Sequence, residues 1–219
     1  MSLKPIKISW TDLGVRFGLK WVFKKQSGTI DTGAHIVVKG ANGSGKSTFG
    51  KVLVAAIDSS DGEISWSTAE GEIDIDDVPQ QIAWSAPFMD FPEDMMVEEV
   101  LNFHLAFRNA WEEAGLDTLL FSAGLSGHRK SRVKTLSSGQ KQRLRLILAM
   151  GTEAGLVILD EPCSNLDSTG ITWYGEELKK LVLTLIPDLY KFHDSQKCGK
   201  VRIKLVERIL KLEELLDRL

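Results

Sequence analysis

Cysteine is nearly absent: Cys163 and Cys198 are the only two in 219 residues. Neither stands near a metal-ligand partner, which argues against a disulfide framework or a zinc site and fits a reducing compartment. No apolar run approaches the roughly 18 to 20 residues that span a bilayer. The start, Met1 to Pro5, lacks the apolar core of a signal peptide. The expectation is a soluble, cytoplasmic protein whose membrane role, if any, comes through a partner. Positive charge is not in excess either, since 27 Lys and Arg face 30 Asp and Glu for a net charge of −3. That weighs against a protein built to grip nucleic acid. The locally basic stretch Gly127-His128-Arg129-Lys130-Ser131-Arg132-Val133-Lys134 reads as a solvated loop rather than a contact to nucleic acid or lipid headgroups. What the chain has in quantity is apolar residues, 43%, enough for the core of one domain or one and a half.

Glycine is placed where chemistry uses it. Gly40-Ala41-Asn42-Gly43-Ser44-Gly45-Lys46-Ser47-Thr48 follows the strand-like run His35 to Val38 and precedes a helix-like stretch from Phe49 to Ile57. Strand, glycine-rich turn and helix is the context in which a G-x-x-x-x-G-K-[ST] pattern carries meaning. Glycines at 40, 43 and 45 admit positive φ and a close approach to an anion. Successive N–H groups then form a nest around phosphate oxygens, reinforced by the positive end of the helix. Lys46 brings a point charge to the β- and γ-phosphates, and the Ser47 hydroxyl is suited to Mg²⁺.

Before that loop, Ile6-Lys7-Ile8, Gly14 to Phe17, Trp21-Val22-Phe23 and Gly28-Thr29-Ile30 predict short antiparallel strands. Phe17, Trp21 and Phe23 lie within about one hairpin of the loop: either one of them stacks on an adenine or all three are core. After it, Asp61 to Trp66 predicts a strand, and the acidic run Glu70 to Asp77 a solvated loop. Gln81 to Ser85 is strand-like and stopped by Pro87. The three-and-four spacing of Val100, Leu101, His104, Leu105 and Arg108 predicts a helix over Val97 to Ala114, with His104 a packing or surface histidine.

Two further stretches carry chemistry. Leu136-Ser137-Ser138-Gly139-Gln140 opens a helix running from Lys141 to Met150, a second helix N-terminus suited to an anion. Leu156-Val157-Ile158-Leu159 predicts a buried strand with Asp160-Glu161 at its carboxyl end, where doubly wound sheets place their ligands. Two desolvated carboxylates repel each other unless a cation or a reacting water justifies them.

Phosphate loop, Leu136 to Gln140 and Leu156 to Pro162, in that order, resemble the nucleotide-binding subunit of ABC (ATP-binding cassette) transporters, and Ser164-Asn165-Leu166-Asp167 resembles that family's D-loop. The resemblance covers residues 6 to about 178. Phe17 to Phe23 and Leu166-Asp167 with Gly170 to Tyr174 resemble a bacterial branch similar to cytochrome c biogenesis or multidrug-type ATP-binding subunits. The resemblance implies an α/β fold, a P-loop NTPase (RecA-like) core with an N-terminal antiparallel β subdomain and an inserted α-helical subdomain. The divisions would be 1–35 for the β subdomain, 36–87 and 156–200 for the core, 88–155 for the helical subdomain and 201–219 for a C-terminal amphipathic helix. It also implies a head-to-tail homodimer in which each ATP lies between Gly40–Thr48 of one chain and Ser137, Ser138, Gly139 and Gln140 of the other. Phe17 would stack on adenine, Ser47 and Asp160 would hold Mg²⁺, Glu161 would be the general base, and Lys46 would stabilise charge on the γ-phosphoryl group.

The chain also departs from the family's pattern. Pro87 stands where most members carry a metal-reaching glutamine, and Gln80 and Gln81 lie at the wrong end of that strand to replace it. Ser138 replaces a glycine, and Cys163 is expected to be a buried small residue. By counting, His193 matches the family's switch histidine; an alternative alignment puts Leu183-Thr184-Leu185 there, with none. The tail Val201 to Leu219 carries a heptad seam suited to its own core or to another chain. The reading reached is an ATP-hydrolysing subunit that drives a separate membrane permease, docking it near Phe88-Met89-Asp90-Phe91-Pro92. The alternatives are a soluble ABC ATPase acting on DNA or ribosomes, and a degenerate cassette that binds ATP as a regulatory module.

Overall fold

Two kinds of patterning divide the chain, and the structure follows them. The computed structural model describes residues 4–111 and 115–185. His193 and the tail Val201 to Leu219 lie outside the described residues. The described chain forms two compact units, Ile6–Ile75 and Asp76–Val182.

In the first unit apolar residues alternate with polar ones, and the result is a four-stranded antiparallel sheet of order β2-β1-β3-β4. β1 (Lys7–Phe17) and β2 (Lys20–Ile30) form a hairpin in which Phe17 faces Lys20. The expected short segments merge into two long strands because register shifts between Trp10 and Val15 absorb the polar interruptions instead of ending the ladder. Bulges of that kind cost one unpaired residue and keep the apolar face inward. β3 (Asp61–Thr68) pairs with β1, and β4 (Gly71–Ile73) with β3. The acidic run Glu70 to Asp77, expected as a solvated loop, is largely exposed, but Gly71–Ile73 within it forms β4 because β3 offers its backbone groups a ladder partner. Ile6, Ile8, Trp10, Leu13 and Val15 are buried. Helix α1 (Lys46–Leu53) closes over the sheet: Phe49 meets Trp10 and Phe23 edge-on at 5.4 and 5.9 Å between centroids, and Trp66 Nε1 donates to the Leu53 carbonyl at 2.8 Å. Trp10 and Trp66 are buried, while Phe23 and Phe49 are half-buried.

One expectation fails here. The run His35 to Val38 belongs to no strand. Its β-branched residues supply propensity, but a strand also needs a neighbour for its amides and carbonyls, and none pairs with it among the described residues.

The second unit is helical around a small parallel ladder. α2 (Val78–Gln81) leads into β5 (Ile82–Ser85), which pairs with β6 (Leu156–Leu159) from Ile82↔Leu156 to Ser85↔Leu159. α5 (Ser138–Gly151) packs on both strands, with Leu144, Leu146 and Ile147 fully buried. α3 (Val97–Leu105), α4 (Leu116–Ser122) and Trp173 of α6 (Ser168–Leu185) complete this core, and Trp173 Nε1 donates to Ser122 Oγ at 2.9 Å. The expected helix over Val97 to Ala114 stops at Leu105. Beyond it, Glu153 N–H donates to the Asn109 carbonyl at 2.8 Å and Trp111 N–H to the Gly151 carbonyl at 3.1 Å. Those partners across the chain replace the helical ones, a tertiary override of local spacing. His104 packs, its Nε2 2.6 Å from Thr152 Oγ1. Among the described residues no helix is long and apolar enough to cross a membrane.

Candidate functional site

The phosphate loop lies in the first unit. Gly40 to Ser44 are exposed and Gly45 to Thr48 half-buried at the start of α1. Gly45 is the N-cap, with φ 94, and a Cβ there would lie 2.6 Å from Val22 Cγ1. Both the left-handed backbone and the close approach of β2 therefore demand glycine. Ser44 N–H donates to the Ala41 carbonyl at 3.1 Å, closing the turn. Lys46 Nζ donates to the Gly40 carbonyl at 2.9 Å and the Ala41 carbonyl at 3.0 Å. The ammonium is thus held above the loop it would offer to a phosphate. Ser47 and Thr48 follow in the first turn of α1. Of the three candidate aromatics, Phe23 packs on Phe49 and Trp21 lies beneath the Arg16 guanidinium, 5.6 Å away. Phe17, 61% exposed at the hairpin end, keeps a free ring face.

The acidic pair lies in the second unit. Asp160 N–H donates to the Ser85 carbonyl at 2.8 Å, prolonging the β5–β6 ladder by one bond. Its Oδ2 is buried and has no hydrogen-bond partner. A buried acceptor left so costs about 1 to 3 kcal/mol, more when charged, and a cation relieves it. Among the described residues no three His, Cys, Asp or Glu side chains cluster for a metal. Glu161 is exposed and adopts φ 47, in the left-handed region that non-glycine residues rarely enter. Its Oε2 accepts from Ser164 Oγ at 3.0 Å. Cys163 in the same turn is exposed, correcting the expectation of a buried residue; the turn lies on the surface.

The stretch Ser137 to Gln140 stands beside that turn. Ser137 caps α5 in a capping box: its Oγ accepts from Gln140 N–H at 3.2 Å, and Gln140 Oε1 accepts from Ser137 N–H at 2.9 Å. The second bond fixes the amide, so Gln140 Nε2 donates to His128 Nε2 at 3.0 Å, and the neutral His128 ring carries its proton on Nδ1. Ser138 is the first residue of the helix. Asn165 faces Gly139 across a close approach. Asp167 Oδ1 accepts from Gly170 N–H at 2.8 Å, Thr169 Oγ1 at 3.0 Å and Arg143 Nη2 at 2.8 Å. These bonds, that of the Gly170 amide foremost, hold its pKa below the usual carboxylate range. Pro87 follows β5 and offers no ligating side-chain atom, while Gln80 and Gln81 belong to α2 at the strand's other end.

The family model described as ABC transporter matches residues 23–164, which include the phosphate loop, Ser137 to Gln140 and the acidic pair. The chain belongs to the ABC transporter family, among its ATP-binding subunits. A cytochrome c biogenesis ATP-binding export protein of Xylella fastidiosa is 32% identical over 143 residues, covering 65% of this chain and 66% of that protein. Its counterpart in Vibrio cholerae is 25% identical over 190 residues, covering 83% and 91%. The chain thus spans about two thirds of the length of the first relative and most of the second. The solved structure of an ATP-binding subunit of an ABC transporter superposes with TM-score 0.70 at 24% identity, covering 81% of this chain and 75% of that one. At that identity the likeness speaks to fold: this is the α/β P-loop fold of ABC ATPases.

Sequence reasoning missed two residues of the second unit. Gln142 is 1% exposed and Arg145 is held in four polar or ring contacts. The only available signal was that Gln142 and Arg145 are spaced three apart and so share a helix face.

Proposed function

We propose that this chain is the ATP-hydrolysing subunit of an ABC transporter, acting as a dimer of two cassettes at the cytoplasmic face of a membrane permease. On this reading the chain is one cassette, with a β subdomain (1–35), a core (36–87 and 156–200) and a helical subdomain (88–155). The amides of Gly40 to Thr48 cradle the triphosphate, Phe17 stacks on adenine, and Ser137 to Gln140 of a second copy close over the γ-phosphate. Ser47 in the phosphate loop and Asp160 at the end of β6 are each, by their own chemistry, suited to Mg²⁺, which when bound would neutralise phosphate charge. Lys46 exchanges its two loop carbonyls for phosphate oxygens and stabilises the charge that grows on them. Glu161, steadied by Ser164, takes the proton of the attacking water.

The observation that carries the reading is Asp160, whose buried, unpartnered oxygen at the end of a parallel strand is costly without a cation. Pro87 in place of a metal-reaching glutamine favours a second reading, an ATP-binding cassette that turns over little. Steady-state ATPase rate against protein concentration separates the two. Specific activity that rises with concentration supports a site completed by a second copy. No hydrolysis at any concentration, with ATP still bound, moves the assignment to the second reading.

A further inference from the structure

One side chain of α5 holds the loop that follows β5. Arg145 keeps only 10% of its side chain exposed. Its Nε donates to the Met89 carbonyl at 2.6 Å, its Nη2 pairs with Asp90 Oδ1 at 3.0 Å, and its guanidinium lies 5.9 Å from the centre of the Phe91 ring. On its other side Nη1 donates to Gln142 Oε1 at 3.1 Å, and Gln142 Nε2 donates to the Pro162 carbonyl at 3.1 Å. Pro162 follows Glu161 directly. An unbroken series of hydrogen bonds therefore runs from Met89 and Asp90, through α5, to the turn that carries the candidate general base.

The series has one polarity. Guanidinium donates only and a backbone carbonyl accepts only, so the Gln142 amide between them has a single satisfied orientation. Satisfied buried networks resist partial movement, because breaking one bond strands the next group. A shift of the Met89–Phe91 loop against α5 must either carry the Arg145 guanidinium with it, pulling on Gln142 and through it on the Glu161 turn, or leave the guanidinium short of partners.

We propose that Arg145 and Gln142 are positioning residues that couple the Met89–Phe91 loop to the Glu161 turn. The proposal rests on the transporter reading, in which that loop, with Phe88 48% and Met89 38% exposed, meets a permease helix. Position 87 holds proline, so no glutamine side chain there reaches from loop to metal. The Arg145 route is a mechanical link that this chain builds from an arginine of α5 instead. Shared hydrogen bonds establish contact; coupling requires that both ends respond together.

Hydrogen exchange on the full chain carrying E161Q, with and without Mg-ATP, tests this. Slowed exchange across Gly40–Thr48 is expected together with altered exchange at Met89–Phe91. In R145A and Q142L the second change is lost while the first persists. R145K, which keeps the charge opposite Asp90 and one donor, recovers part of it. D90N alters a position 85% exposed, so it spares the core and still weakens the loop response. Equal loop responses in all these variants, or a parent whose loop ignores bound ATP, overturn the coupling. Absence of protection at Gly40–Thr48 in the parent instead overturns the transporter reading. Should R145A fail to fold, R145K and D90N decide.

Discussion

The Cβ that Gly139 lacks would lie 2.9 Å from the carbonyl oxygen of Asn165. Backbone meets backbone there, so the helix that opens with Ser138 and the turn that follows Glu161 are set against each other at the smallest possible separation. Gly139→Ala forces one of them to move. Overpacking of this kind costs about 1 to 3 kcal/mol. The expected result is a lowered melting temperature with ATP affinity near that of the parent and a clear loss of hydrolysis. A G139A protein that hydrolyses ATP at the parent rate shows that the spacing is not used.

Lys46→Ala removes the ammonium that Gly40 and Ala41 now share. Charge-assisted bonds to phosphate contribute about 1.5 to 3 kcal/mol each. Titration calorimetry should then detect no ATP binding, and an unchanged affinity would refute the assignment of the loop.

Glu161→Gln keeps size and the contact with Ser164 but removes the base. Turnover should fall by about a hundredfold or more, with ATP still bound and dimers accumulating in size-exclusion profiles. Hydrolysis at the parent rate would mean that another group takes the proton.

Stability should fall on acidification in two steps. Burial lowers the pKa of His104, with Arg108 adding to it, and burial lowers that of His35, each from an ordinary value of 6.5. The unfolded chain therefore binds these protons first, so stability is full above that value and declines as pH drops below it. Asp167, through its Gly170, Thr169 and Arg143 bonds, and Asp94, through Lys134 and then Arg132, have lowered values too. Their contribution holds above 3.8 and is lost as pH falls through the folded-state values. Urea melts between pH 8 and pH 3 read both steps. In H104N the first step should shrink; a first step of full size in that variant would place the sensitivity elsewhere.

Short-range chemistry was written in the chain itself. Gly40 to Thr48, Ser137 to Gln140 and Asp160-Glu161 could be found because a phosphate nest, a helix cap and a strand-end carboxylate pair depend on residue type at fixed spacing. Boundaries and partners were decided only by the tertiary structure. His35 to Val38 has strand residues but no ladder partner, and the helix expected to reach Ala114 yields at Leu105 to bonds with Gly151 and Glu153. The burial of Gln142, the grip of Arg145 on Met89 and the bare oxygen of Asp160 join or strand atoms many residues apart. Such pairings depend on which groups the packed core brings within about 3 Å of each other, a distance that no local pattern encodes.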